Sequence, residues 1–96
     1  MNMSEIKNVN PVYRIEADKL VKGLTENGVE CDYHKCWDGV QIRCNEWDAI
    51  CHSGSYGHEE GLLEVMGTIA RAVDDDDDVE GWLTAEEILQ RLNLTV

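Results

Sequence analysis

Residues 51–73 read CHSGSYGHEEGLLEVMGTIARAV, and the fold predicted for the chain depends on this stretch. Its first part is rich in glycine and serine, which is typical of a turn. Apolar residues then recur at spacings of four, three and four positions: Leu62, Met66, Ile69 and Val73. This period is that of a helix with one face on a core, so the segment predicts a central helix. Gly67 is its weak point, because an interior glycine costs about 1 kcal/mol relative to alanine.

The sequence before this stretch predicts one helix. Residues 1–13 are polar and lack a sustained period, and Pro11 is expected to mark a break, so they are predicted to form a loose lead-in. Apolar residues then recur on one helical face from Ile15 to Glu26. Asn27-Gly28 should end this helix, because both residues tolerate positive φ.

Three strands are predicted between the two helices. Apolar and polar residues alternate over residues 29–34, which is the pattern of a half-buried strand. The step Asp38-Gly39 separates this run from a second alternating run over residues 40–44, so the two runs predict a hairpin. After a short turn at Asn45-Glu46, residues 47–52 predict a third strand.

A last helix is predicted after the aspartate run. Thr84 and Glu87 have the spacing of a capping box, and Trp82 and Leu83 just before them are expected to pack into the core. The predicted fold is α+β, with residues 1–96 in a single domain. It is a three-stranded antiparallel meander with helices packed on one face, in the order α-β-β-β-α-α.

Charge gives the main functional indication. The net charge is −12, and residues 59–96 contain eleven acidic and two basic residues. Such a surface repels phosphate backbones and anionic membranes, whereas a basic groove on another protein attracts it. We therefore predict a non-enzymatic binding protein for a basic, nucleic-acid-binding partner, or a structural or accessory protein without an inhibitory role, whose charge serves only solubility. The predicted partner-binding residues are Asp74, Asp75, Asp76, Asp77, Asp78, Glu80, Glu86 and Glu87.

A calcium-binding module is the alternative function. With Asp76 as the first position of an EF-hand-like loop, Asp78 and Glu80 take the third and fifth positions, and Glu87 takes the twelfth. Glu80 is longer than the usual residue at its position, and Asp75 occupies the place of an apolar residue in the entering helix. An acidic loop followed by a capping box explains the same residues without a metal.

Zinc binding and hydrolytic catalysis are less consistent with the spacing. The candidate zinc ligands are Cys31, Cys36, Cys44, Cys51, His34 and His52, and only the first two cysteines approach the close pairing of structural zinc sites. Reduced core cysteines explain them better. Ser53 stands where a hydrolase elbow needs glycine, so His58 and the turn Ser53–Gly57 indicate capping rather than catalysis. Alternatively, Tyr56, His58 and Glu60 form an exposed recognition patch.

The runs SYGHEEGLLEVMG (Ser55–Gly67) and VEGWLTAEEIL (Val79–Leu89) resemble small acidic proteins encoded by phages and prophages. The resemblance covers roughly the C-terminal half and brings no catalytic residues. It implies a phage-encoded protein in the host cytoplasm that inhibits a basic host or defence protein, as anti-CRISPR proteins do. No stretch approaches the roughly 18 apolar residues of a membrane span, and the first ten residues do not resemble a signal peptide, which also predicts a cytoplasmic protein.

Overall fold

The computed structural model describes residues 6–70 and 79–95, which form a five-stranded sheet and two α-helices. The elements in chain order are α1 (Pro11–Glu26), β1 (Asp32–Cys36), β2 (Gly39–Arg43), β3 (Trp47–Cys51), a 3₁₀ helix (His58–Glu60), β4 (Leu63–Gly67), β5 (Val79–Leu83) and α2 (Ala85–Arg91). All neighbouring strands are antiparallel, in the order β1-β2-β3-β4-β5. The predicted three-stranded sheet and the order α-β-β-β-α-α are therefore wrong, because two further strands follow β3. Neither α-helix in this described part has the length and apolar character needed to cross a membrane.

The predicted central helix is the source of this error. The middle of that stretch, Leu63–Gly67, forms strand β4, in which Leu63 and Val65 are fully buried while Met66 is about half exposed. Leu62 and Ile69, which contributed to the helical period, lie on either side of this strand. Gly67 adopts φ 104°, far from the helical value near −63°, and a Cβ there would lie 2.8 Å from Trp47 Cα. Pairing with both β3 and β5 supplies the backbone hydrogen bonds that a helix would otherwise make internally. Val73 lies outside the described residues.

Helix α1 begins earlier than the sequence predicts. Asn10 caps it, because the Asn10 side-chain oxygen accepts a hydrogen bond from the Val12 N–H at 3.1 Å, and Pro11 is its first residue. Proline suits that position because its missing N–H needs no partner there. Ile6 and Val9 are buried in the core, so residues 6–13 are not a loose lead-in, while residues 1–5 lie outside the described part. The helix ends at Glu26, as predicted.

The hydrophobic core lies between the sheet and the helices. Alternate strand residues point toward it, and α1 lies across β2 and β3 while packing against α2. Tyr33 is buried within this core, and its hydroxyl donates to Asp18 Oδ1 on α1 at 2.7 Å. The buried polar group is thereby satisfied, as burial requires.

The predicted hairpin and the predicted capping box are both confirmed, although the turn of the hairpin lies one residue earlier than expected. β1 and β2 form the predicted hairpin, but Trp37 and Asp38 make its turn and Gly39 is already the first residue of β2. Helix α2 begins with the predicted capping box, in which the N–H groups of Thr84 and Glu87 each donate to the other residue's side chain at 3.2 Å.

The segment just before α2 packs differently from the prediction. Leu83 is buried, as expected of a residue that packs into the core. Trp82 is 58% exposed, so its predicted burial is wrong. Its backbone is left-handed, with φ 58°, and the pairing of β4 with β5 is irregular between Leu63 and Val65.

Candidate functional site

The predicted acidic surface is only partly within the described residues. Asp74 to Asp78 lie outside them. The Glu80 carboxylate in β5 accepts two hydrogen bonds from the Arg91 guanidinium, at 2.6 and 2.7 Å. Glu87 belongs to the capping box, and Glu86 borders a groove of about 420 Å³ between α1 and α2 that Lys19 and Lys22 also line. The described members of the set therefore lie beside polar or basic groups of their own chain.

The candidate metal ligands are spread over the fold. For calcium, Glu80 and Glu87 have the partners just described, and Asp76 and Asp78 lie outside the described residues. For zinc, Cys51 is a core residue, His52 packs against Trp37, and Cys31 and Cys44 are partly buried against the core. Within residues 6–70 and 79–95, no three His, Cys, Asp or Glu side chains are grouped so that they could hold a metal ion.

The serine and histidine considered for catalysis have separate partners. The buried Ser55 hydroxyl donates to the His52 carbonyl at 2.9 Å and accepts from the His52 N–H at 3.0 Å. His58 Nδ1 lies 3.4 Å from the Tyr13 hydroxyl, and His58 Nε2 lies 3.3 Å from Glu59. Ser55 therefore closes a turn, and His58 joins the loop to α1.

Two cysteine thiols, those of Cys44 and Cys51, make the free energy of unfolding fall as the pH becomes alkaline. Burial raises the pKa of Cys44 and of Cys51 to about 11, against an ordinary value of 9.0. A thiol with a raised pKa in the folded state ionises first in the unfolded chain. Its contribution to stability is therefore complete below pH 9.0 and is lost as the pH rises toward about 11.

We expect the free energy of unfolding to fall by about 2 kcal/mol between about pH 8 and about pH 10.5, after discounting for the partial exposure of Cys44. Urea denaturation followed by circular dichroism at several pH values measures this change. A Cys51→Ala variant should be less stable at about pH 8 but show a shallower alkaline slope. An equal slope in the two proteins would assign the loss to other groups.

The most distinctive surface of the molecule is the aromatic surface, which we define as Trp37, Tyr56 and Trp82. Of these residues, only Tyr56 belongs to the recognition patch that the sequence predicts, whereas Trp37 and Trp82 are not among the predicted site residues. Trp37, Tyr56 and Trp82 are 75%, 58% and 58% exposed, respectively. Trp37 forms the β1–β2 turn, Tyr56 lies in the β3–β4 loop, and Trp82 lies near the end of β5. In the antiparallel meander these three positions are at the same end of the sheet.

Trp37 is held against the β3–β4 loop. Its ring stacks on His52 with centroids 5.0 Å apart, and His52 Nδ1 accepts a hydrogen bond from the Gly54 N–H at 3.0 Å, which fixes the imidazole. The Ser53 N–H donates to Asp38 Oδ1 at 3.0 Å. This hydrogen bond lowers the pKa of Asp38 and keeps a carboxylate charged beside Trp37.

Tyr56 and Trp82 form the second part of the aromatic surface. Their rings stack with centroids 5.3 Å apart and planes 23° from parallel. In addition, the backbone N–H of Trp82 donates to the Tyr56 carbonyl at 3.4 Å. Glycines allow this close approach. A Cβ at Gly57 would lie 3.1 Å from the Trp82 backbone, and one at Gly81 would lie 2.9 Å from the Tyr56 carbonyl oxygen.

The charged residues near the aromatic surface are mainly acidic, although the exposed Lys35 lies two residues before Trp37 in β1. Asp38, Glu59 and Glu60 are exposed, and the Glu59 side chain retains 80% of its accessible area. The sequence contains no Lys or Arg from Cys44 to Ala70. Three basic residues, Arg14, Lys19 and Lys22, lie elsewhere, on α1, where each pairs with an acidic residue of the same helix.

Comparisons of this chain with protein-family models, with curated proteins and with solved structures give no match.

Proposed function

We propose that the protein is a non-enzymatic acidic binding protein whose partner is a basic protein surface of the kind that binds nucleic acid. The observation that carries this proposal is the charge of residues 45–90, which contain thirteen Asp and Glu residues and one Arg. An excess of this size attracts basic surfaces at long range and accelerates encounter, and it repels phosphate.

The inhibitory form of this proposal is that the protein occupies the basic site in place of nucleic acid. Its setting, a phage-encoded inhibitor of a host or defence protein in the cytoplasm, rests on the resemblance of Ser55–Gly67 and Val79–Leu89 to small acidic phage proteins. The separate partners of Ser55 and His58 support a binding function over hydrolysis, because neither residue activates the other.

The test begins with affinity capture by the tagged protein from a bacterial lysate containing defence systems, at about 50 mM and about 200 mM salt. A captured basic protein is then purified, and its binding to an oligonucleotide is measured with increasing amounts of the acidic protein. We expect competition that weakens at the higher salt concentration, because exposed charges are screened.

The charge variant replaces Asp74, Asp76 and Asp78 with asparagine. A matched control replaces Glu26, Glu30 and Glu46 with glutamine, so each variant has its net charge changed from −12 to −9. We expect the aspartate variant to bind the partner about tenfold more weakly and the control to change little, since three charges at an interface contribute roughly 1–2 kcal/mol. Equal weakening in both would mean that only total charge matters, and unchanged competition in both would contradict the proposal.

A further inference from the structure

We infer that the aromatic surface is the docking site for an arginine-containing segment of the partner, with a guanidinium group stacked on an exposed indole. This inference rests on the proposed function and adds the site and the chemistry by which the basic partner is recognised. Exposed tryptophans at a rigid surface are the residues that most often dominate the affinity of protein interfaces.

The backbone conformation of the two tryptophans is the first argument. Trp37 has φ 55° and Trp82 has φ 58°, in the left-handed region where bulky residues are outliers. Glycine or asparagine adopts this conformation more readily, so folding alone favours a different residue at both positions. Neither indole is buried, so core packing does not explain the choice. Strained residues of this kind are concentrated at ligand-binding sites.

Pre-organisation is the second argument. Trp37 is stacked on His52, and Trp82 is stacked on Tyr56, so one face of each indole is supported while much of the ring remains exposed. The loop between these two contacts is fixed by the hydrogen bonds of Ser55 with the His52 backbone. A surface that is already ordered loses less entropy when a partner binds.

Size is the third argument. His52 and Tyr56 are four residues apart, so their Cα atoms are separated by at most about 14 Å. The Ser55 N–H donates to the His52 carbonyl at 2.9 Å, which shortens this path further. The two stacked pairs therefore fit within one standard interface, which covers roughly 800 Å² of each partner.

Charge selects arginine as the occupant. Nucleic-acid bases also stack on indoles, but Asp38, Glu59 and Glu60 would repel their phosphates. A guanidinium is attracted to the face of an indole, and its N–H groups can donate to carboxylates at the rim. Lysine lacks the planar group that stacks, so the surface should prefer arginine over lysine.

The test uses the full chain and two fluorescent peptides of equal length, one of arginine and one of lysine, with binding measured by anisotropy. The wild type should bind the arginine peptide more tightly. Trp37→Asn and Trp82→Asn should each weaken arginine-peptide binding about tenfold and reduce the preference over lysine, without lowering the melting temperature. The matched control is Ile15→Asn, which removes another exposed apolar side chain, on α1, and should leave binding unchanged.

Variants with phenylalanine at positions 37 and 82 provide a second series if an asparagine variant unfolds, and intermediate affinity is expected because phenylalanine attracts cations less strongly than tryptophan. Arginine-peptide binding that is equal in the wild type and both series would overturn the aromatic site but leave the acidic binding protein in place. Absence of binding to either peptide would contradict both proposals. Binding of a single-stranded oligothymidine at the aromatic surface would overturn the choice of occupant.

Discussion

Replacing Gly39 with alanine is expected to lower the free energy of unfolding by about 3 kcal/mol, a large part of the stability of a small domain. A Cβ at this position would run into the Cys51 carbonyl oxygen and lie 2.7 Å from His52 Cα. Both are backbone atoms, and Cys51 is fully buried, so they cannot move aside as a flexible side chain could. The added methyl group must therefore separate β2 from the end of β3.

The measurement is urea denaturation monitored by circular dichroism, with Gly23→Ala as the matched control. A Cβ at Gly23 would meet the Leu89 side chain, which can shift, and alanine is about 1 kcal/mol better than glycine within a helix. We expect the control to remain within about 1 kcal/mol of the wild type. If Gly39→Ala were as stable as Gly23→Ala, this result would contradict the close approach of Gly39 to the backbone of Cys51 and His52.

The same substitution also reports on the aromatic surface, because His52 carries the stacked Trp37. Displacement of His52 should change Trp37 fluorescence in any fraction that remains folded. The close approach of Gly39 to the His52 backbone therefore affects both the stability of the sheet and the position of Trp37.

Several elements of the fold could be predicted from local signals in the sequence. The end of α1 at Asn27-Gly28, the β1–β2 hairpin near Asp38 and the capping box of Thr84 and Glu87 depend on residues close together in the chain. Such signals have physical causes that act locally, namely backbone conformation and the hydrogen bonds of helix ends.

Strand β4 could not be recognised in the same way. Leu63 and Val65 have the period of a strand, while Leu62, Met66 and Ile69 have the period of a helix, and both patterns occur in one short apolar run. Periodicity alone does not distinguish them. The decisive interactions are long-range, because β4 pairs with β3 before it and with β5 after it.

The sequence did not predict that Trp37 and Trp82 belong to one surface, for a related reason. Trp37 and Trp82 lie 45 positions apart, and the meander brings them to one end of the sheet only when β4 and β5 are present. The sequence did contain an indirect signal in Gly57 and Gly81. Both glycines border Tyr56 or Trp82 in the structure, but they are recognisable as sites of close approach only once β5 is placed beside the loop.

Removing the Glu80 side chain in a Glu80→Ala variant is expected to lower the free energy of unfolding by about 2–3 kcal/mol, somewhat less than for a fully buried pair. The side chains of Arg91 and Glu80 are only 13% and 22% exposed, and the two hydrogen bonds between them are short. Without Glu80, a mostly buried guanidinium loses its charged partner. Arg91 also donates to the Ile69 carbonyl at 3.2 Å, so the pair connects β5 and α2 to the segment after β4.

A double-mutant cycle with Glu80→Ala and Arg91→Ala separates the pair from the loss of side-chain packing. We expect the double variant to lose less stability than the sum of the two single variants, because neither leaves its partner buried and unpaired once both are removed. Denaturation with and without calcium tests the alternative role of Glu80. If Glu80 were a calcium ligand, calcium would raise the stability of the wild type but not of Glu80→Ala. If Glu80 only pairs with Arg91, the coupling energy between the two residues is the same with and without calcium.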